Sequence, residues 1–187
     1  MTIALPSPSR IWREFHWAFF MNVQGLVLCL RRFNMQVHEG NHAEADRELR
    51  AAAVLLRTSA SSMDLAASFS KADYENTIRV SMTPPSVESD DFSGLMSFDH
   101  AVLIQVWREM KDVFAMLPVE LHDAHAEFVA AYKYLAEGHV GVCSRFVGSD
   151  AGSLRYGDRK AIDTLQRFER GRLGMIDPPK KGCPFHK

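Results

Sequence analysis

Apolar and aromatic side chains recur at alternating steps of three and four along residues 121–146, and this spacing constrains the fold more than any other feature. Such steps place the recurring side chains on one face of a single helix. The face consists of His125, Phe128, Tyr132, Leu135, His139, Val142 and Phe146. A histidine on an apolar face is usually a hydrogen-bonded core residue. His139, however, is followed by Arg145 and by residues 148–153, a glycine-containing break where the backbone can approach a bound group closely.

Helical periodicity also organises the rest of the chain. It predicts helices over about residues 10–37, 42–67, 70–82, 95–117 and 158–173. The apolar face predicted for residues 95–117 consists of Phe98, Val102, Val106, Met110, Val113 and Leu117. The pattern therefore predicts an all-α protein, a single-domain bundle of about six helices over residues 1–187, with an N-terminal arm at 1–9 and an irregular tail at 174–187.

Length and composition narrow the function classes. A chain of 187 residues with 47% hydrophobic and 24% charged residues can bury a core of ordinary size. A net charge near −1 gives no electrostatic reason to expect nucleic acid or an anionic membrane as partner. The three cysteines lack the spacing of a disulfide framework, residues 1–10 lack the order of a signal peptide, and residues 17–30 are too short and polar to span a bilayer. We expect a cytoplasmic protein.

One stretch formally satisfies the H-E-x-x-H pattern of zinc proteases, at residues 38–42. That chemistry needs both imidazoles one turn apart on one helix face, whereas Gly40-Asn41 is a pair that ends one helix and starts another. Asn41 and Glu44 also have the spacing of a capping box. A di-iron bundle would need two Glu-x-x-His pairs on facing helices, and the pair at residues 39–42 crosses the same turn. We predict an interhelical turn and neither metal site.

The run that includes His139, Arg145, Gly148, Gly152 and Ser153 resembles the histidine-arginine-glycine segment of the tryptophan 2,3-dioxygenase family, whose members are all-helical haem proteins. The resemblance implies that His139 is the iron ligand of haem b (iron protoporphyrin IX), with Gly152 beside the cofactor in a haem pocket within the bundle. It also implies that Ser153 takes the place of a threonine that contacts substrate. Arg145 is expected to pair with a haem propionate, or equally to form a surface ion pair. The glycine-rich run that follows in that family is absent here.

The same resemblance extends to the first helix, where the family carries a histidine that faces the oxygen side of the haem. His16 falls in the matching place and is the candidate catalytic residue, since it could donate a hydrogen bond to bound oxygen. Phe20 is expected to bind substrate as part of an apolar roof that also includes Phe15 and Phe19. The alternative for His16 is a partly exposed histidine near the start of a helix.

Residues 92–98 resemble the loop of that family that recognises the substrate. Phe92 matches, but Phe98 occupies the position of the arginine that clamps the substrate carboxylate. A phenyl ring cannot replace a bidentate guanidinium. We therefore expect Phe92 and Phe98 to line a pocket for an indole-type or other aromatic compound without that carboxylate. Asp99 and His100 follow and could bind an amine or hydroxyl, although Asp99 is also suited to cap a helix.

These observations leave three hypotheses. The first is a haem-dependent oxygenase, a dioxygenase or monooxygenase, that uses O2 on a small aromatic substrate and forms a homo-oligomer. The second is a haem-binding sensor or carrier without turnover, suggested by the missing clamp and by Cys183-Pro184, which resembles a short motif of haem-responsive proteins. The third is a helical interaction module without a cofactor.

Overall fold

The computed structural model describes residues 6–88, 97–147 and 161–179, and every regular element within them is helical. The long helices are α1 (Pro8–His38), α2 (His42–Ala66), α5 (Phe98–Ala115), α6 (His122–Val147) and α7 (Ala161–Ile176). The connection from α2 to α5 contains α3 (Lys71–Asp73), a π-helical turn (Tyr74–Ile78) and α4 (Arg79–Ser81). A 3-10 turn (Val119–Leu121) precedes α6. The predicted all-α architecture is confirmed.

Local signals in the sequence fix several helix ends. Gly40 adopts a φ of 71°, a left-handed conformation that favours glycine, and ends the first helix. The Asn41 side chain then accepts a hydrogen bond from the Glu44 backbone N–H and starts α2. The zinc-like pattern is therefore an interhelical turn, as predicted. Ser70 and Asp73 likewise form a reciprocal capping box at the start of α3.

Contacts between helices define the topology of the bundle. The turn at Gly40 returns α2 along α1, and α2 packs in turn against α6. Trp107 packs on Tyr132 and Phe114 on Phe128, so α6 runs back along α5. The last helix, α7, packs across both α5 and α6. The start of α1, the segment after α2 and the end of α6 thus meet through Trp12, Phe69 and Phe146, whereas the first turn of α5 contacts the middle of α1, where Gln24 bonds Asp99.

The core lies between α1, α2, α5 and α6. Its largest fully buried side chains include Phe33, Trp107, Phe128, Leu26, Leu30, Leu49, Leu56 and Met110. On α2 the buried positions are mostly alanines, which let neighbouring helices approach closely. The first two helices contribute Val23, Leu26, Leu30, Leu49 and Leu56 to this core, all buried.

The buried face of α5 differs from the prediction. Its buried residues are Leu103, Val106, Trp107, Met110, Phe114 and Ala115. Phe98, by contrast, is 81% exposed. A second stripe at steps of three and four, through Trp107 and Phe114, competes with the predicted one. The face with Trp107 and Phe114 is the one that is buried, because an indole and a phenyl ring bury more apolar area than the valines of the predicted face.

Some large apolar side chains remain on the surface of α1, among them Trp17, Met21 and Leu28. Such a surface would suit the homo-oligomer expected above, which stays a prediction. Across the described residues, no helix combines the length and the apolar character that crossing a membrane would require.

We predict that Phe128→Ala lowers the free energy of unfolding by about 3–5 kcal/mol, because it removes a fully buried ring that stacks on Phe114. Phe98→Ala, which changes the same atoms at an exposed position, should alter it by less than about 0.5 kcal/mol. Urea unfolding of both variants measures the difference. Equal losses would contradict the packing described here.

Candidate functional site

The predicted stripe of α6 does face the interior. Phe128, Tyr132 and Phe146 are buried, and His139 is partly buried between the last two. Gly138, directly before His139, packs toward α2, where a side chain at that position would stand 4.0 Å from Cβ of Ala60. α6 thus packs on α2 beside His139, and the partial burial of His139 places its imidazole on the inner side of the helix.

His139 is a neutral base. Burial, then the positive charge of Arg172 and the ring of His16, lower the pKa of His139 from 6.5 to about 4. Within the described ranges, neither ring nitrogen of His139 has a hydrogen-bond partner. At neutral pH the ring thus has an unprotonated nitrogen that is free to bind a metal ion or accept a proton.

His16 approaches His139 from α1 and is fixed in one tautomer. Its Nδ1 donates a hydrogen bond to the Trp12 carbonyl oxygen at 2.8 Å, which leaves Nε2 without a proton when the ring is neutral. Burial lowers the pKa of His16, and the hydrogen bond to Trp12 partly opposes that change. The structure therefore places a second imidazole, with a lowered pKa, in the same region, and its catalytic role stays a prediction.

Aromatic rings surround the two histidines at this end of the bundle. The Trp12 ring lies 3.9 Å from His16, and the Phe20 ring lies 6.4 Å from it on the other side. Phe69, from the connection after α2, packs edge-on against Trp12 at 6.3 Å and stacks on Phe146 of α6 at 5.3 Å. These contacts form an apolar wall beside the imidazoles, with Phe20 near His16, and the role of Phe20 in binding substrate stays a prediction.

Arg172 of α7 is a member of the site that the sequence reasoning missed. Its Nη2 lies 2.6 Å from Nε2 of His100, on the first turn of α5. Its charge also reaches His139 and Tyr132 of α6. We name His16, His100, Tyr132, His139 and Arg172 the His139 cluster. No spacing within one helix could have revealed it, because its members come from four helices.

Tyr132 is buried at 2% exposure, and its hydroxyl has no hydrogen-bond partner in the part of the chain that the structure describes. Burial raises the pKa of Tyr132, and the nearby Arg172 charge partly offsets the rise. Both the charge and the N–H groups of Arg172 act on the phenol, although the contact does not have the geometry of an ordinary hydrogen bond.

Arg145 forms an ion pair rather than facing the cluster. One of its nitrogens, Nη2, lies 2.9 Å from Oδ1 of Asp64, and Nη1 donates to the Ala67 carbonyl oxygen at 3.2 Å. Both partners belong to the C-terminal end of α2. Of the two alternatives for Arg145, the geometry favours the surface ion pair.

The remaining predicted site residues are not brought to the cluster by the described part of the structure. Phe98 is exposed at the start of α5, with its side chain 81% accessible. Phe92, Gly152 and Ser153 lie outside the described residues, as do Cys183 and Pro184. Their roles stay predictions.

Cys143 lies one helical turn after His139 and so on the same side of α6. It is partly buried, and burial raises the pKa of its thiol to about 11, so the sulfur stays protonated at neutral pH. The His-x-x-x-Cys spacing in the sequence could have drawn attention to this thiol.

His125, the other histidine of the stripe, is structural. Its Nε2 donates to the Ile176 carbonyl oxygen at 2.6 Å, and its ring stacks on Phe114 at 5.2 Å. A cavity of about 400 Å³ lies beside it, lined also by His122 and Lys133. His122 bonds the Leu117 carbonyl oxygen at 3.2 Å. Both rings therefore serve to connect helices.

We predict that His139 makes the stability of the cofactor-free protein depend on pH. Because its folded-state pKa is about 4 and its ordinary value is 6.5, the unfolded chain binds more protons between these values. The contribution is fully present above pH 6.5 and is lost as the pH falls through about 4. His139→Leu should therefore flatten the fall in urea midpoint over this range, and an unchanged slope would contradict the burial of this ring.

Comparison with known proteins gives an independent view of the chain. A sequence model of the family described as SfmD 3-methyl-L-tyrosine peroxygenase matches residues 5–124. The 3-methyl-L-tyrosine peroxygenase of Streptomyces lavendulae is 28% identical over 170 residues, which cover 89% of this chain and 46% of that protein. The chain thus spans about half the length of this relative. No solved structure matches. His16 and His100 lie within the residues matched by the family, and the other members of the His139 cluster follow them.

Proposed function

Because the chain belongs to the SfmD 3-methyl-L-tyrosine peroxygenase family, we propose that it is a haem-dependent oxygenase of a small aromatic compound. The observation that carries the proposal is His139, a desolvated neutral imidazole whose nitrogens have no partner among the described residues. The membership supports the oxygenase class and the aromatic substrate. The neutral imidazole of His139 supports the assignment of an iron-containing cofactor.

The ligands that the chain offers suit a haem better than a bare metal ion. In the described ranges, no group of three or more histidine, cysteine, aspartate or glutamate side chains is arranged to hold a metal. A porphyrin supplies four nitrogen ligands itself, so one imidazole from the protein suffices. Bound haem would supply an iron centre able to activate a peroxide or dioxygen. His139 would hold that iron, and the protonated thiol of Cys143 would lie on the same face of α6.

The other residues of the site would orient the reactants and handle protons. The Nε2 atom of His16 is unprotonated in the tautomer that its Nδ1 contact to Trp12 selects, so it can take up a proton from a bound oxidant. Trp12, Phe20 and Phe69 would exclude water and pack against an aromatic ring. A neutral base and dry apolar walls together favour oxygen transfer to an aromatic ring over release of the oxidant to solvent.

The oxidant itself distinguishes two forms of this function. The relative is named a peroxygenase, a class of enzyme that takes its oxygen atom from a peroxide. This supports hydrogen peroxide as the first oxidant to test. The resemblance to tryptophan 2,3-dioxygenases supports dioxygen, which we keep as the second. The substrate is an aromatic ring in either form.

We predict that His139→Ala weakens haem binding by at least about tenfold, or about 1.4 kcal/mol, because it removes the imidazole that would hold the iron. His125→Gln is the matched control, since it changes another histidine of the same stripe whose ring bonds the Ile176 carbonyl. Titration of the purified proteins with hemin, followed at the Soret band, measures both affinities. Equal haem binding by wild type and His139→Ala would contradict the assignment.

We also predict that the haem-loaded protein transfers oxygen to an aromatic substrate under anaerobic conditions when hydrogen peroxide is added. Mass spectrometry with ¹⁸O-labelled peroxide identifies the source of the oxygen atom, with 3-methyl-L-tyrosine as the probe. Label from ¹⁸O2 instead would support the dioxygen form. A haem-loaded protein that forms no product with either oxidant would contradict an oxygenase and favour a sensor or carrier.

A further inference from the structure

The guanidinium of Arg172 has no acidic partner in the described ranges. None of its nitrogens lies within 4 Å of an aspartate or glutamate oxygen there, although most other arginines with short contacts pair with carboxylates. Glu169, one turn earlier on α7, acts on Tyr132 electrostatically but does not form such a pair. A permanently charged group thus enters a partly buried site without a counter-ion from the described chain.

Two contacts hold the guanidinium in place. His100 Nε2 accepts a hydrogen bond from Nη2 at 2.6 Å, since arginine can only donate, and His100 must therefore carry its proton on Nδ1. The centre of the guanidinium also lies 5.5 Å from the Phe168 ring centroid. The remaining N–H groups of a positioned, planar donor are those that bind carboxylates in a bidentate manner.

The buried hydroxyl of Tyr132 is a second sign of a missing ligand beside Arg172. It is 2% exposed and has no hydrogen-bond partner among the described residues, an arrangement that costs free energy unless something else bonds it. It lies close enough to Arg172 for both the charge and the N–H groups of the guanidinium to act on it, although no hydrogen bond of ordinary geometry joins the two. A carboxylate between them would accept hydrogen bonds from both and neutralise the guanidinium.

We propose that Arg172 and Tyr132 form the carboxylate-binding subsite of the His139 cluster. The inference rests on the proposed function and deepens it, because a haem-dependent oxygenase of aromatic compounds offers two sources of this chemistry: the carboxylate of an aromatic amino acid and a haem propionate. His100 lies two residues after Phe98, the position where the sequence resemblance had placed the missing arginine. Arg172 of α7 thus supplies the positive charge that Phe98 lacks. With this charge in place, the site suits an aromatic amino acid as substrate.

Two matched ligand pairs separate the sources. The substrate pair is 3-methyl-L-tyrosine and 3-methyltyramine, which differ in the carboxylate. The cofactor pair is hemin and its dimethyl ester, in which the propionates are blocked. Affinities are measured by calorimetry for the amino acid and the amine and by optical titration for the haems, with wild type, Arg172→Gln, Arg172→Lys and Tyr132→Phe.

If the bound carboxylate belongs to the substrate, Arg172→Gln should weaken the binding of 3-methyl-L-tyrosine by about 10- to 100-fold and leave the affinity for 3-methyltyramine unchanged. If the bound carboxylate is a haem propionate, the same variant should weaken the binding of hemin but not that of its dimethyl ester. Arg172→Lys should lose less affinity for the carboxylate ligand than Arg172→Gln, because lysine keeps the charge but not the bidentate geometry. Tyr132→Phe should lower the affinity for the carboxylate ligand about 5-fold, because it removes one hydrogen bond.

Arg170→Gln and Tyr134→Phe are the controls, since they change exposed residues two positions away from Arg172 and Tyr132. The carboxylate subsite is overturned if the Arg172 and Tyr132 variants lose affinity equally for both members of each ligand pair, or lose none for either. Wild-type protein that binds no haem overturns the proposed function instead. The amino-acid arm is then run without haem, and failure of wild type to favour the acid over the amine overturns the subsite as well. If Arg172→Gln does not fold, Arg172→Lys and Tyr132→Phe decide by the same criteria.

Discussion

The structure depends on one constraint: the apolar face of α6 must be buried between α2, α5 and α7, and that face carries an imidazole. Packing of Phe128, Tyr132 and Phe146 determines the rotation of the helix and keeps His139 partly buried. Burial in turn keeps the ring neutral. The property that would let His139 act as a ligand or base therefore follows from core packing rather than from a dedicated loop.

The sequence predicted those parts of the fold that depend on near neighbours. The turn at Gly40 and Asn41, the capping box at Ser70 and the inward face of α6 all follow from backbone preferences or helical spacing within a few residues. His16 could be placed near His139 because a family resemblance covered both segments. Periodicity alone would have left His16 an ordinary residue near the start of α1.

What the sequence could not predict depends on contacts between distant segments. On α5, two overlapping stripes compete, and the choice of Trp107 over Phe98 is made by the surfaces of α1 and α6. Arg172 reaches His100 from a helix about seventy residues later, and no local pattern distinguishes it from the exposed Arg170. The consequence for function is substantial, because the substrate inferred from Phe98 lacked a carboxylate and the arginine of α7 restores a place for one.

The membership of the peroxygenase family and the geometry of the His139 cluster both support the proposed function. The central claim is that the imidazole of His139 coordinates a haem iron. Electron-nuclear double resonance on the ferric, hemin-loaded protein with ¹⁵N-labelled histidine tests it directly. We predict one strongly coupled axial histidine nitrogen that disappears in His139→Ala. A coupling that persists in that variant, or a spectrum without any axial histidine nitrogen, would contradict the account.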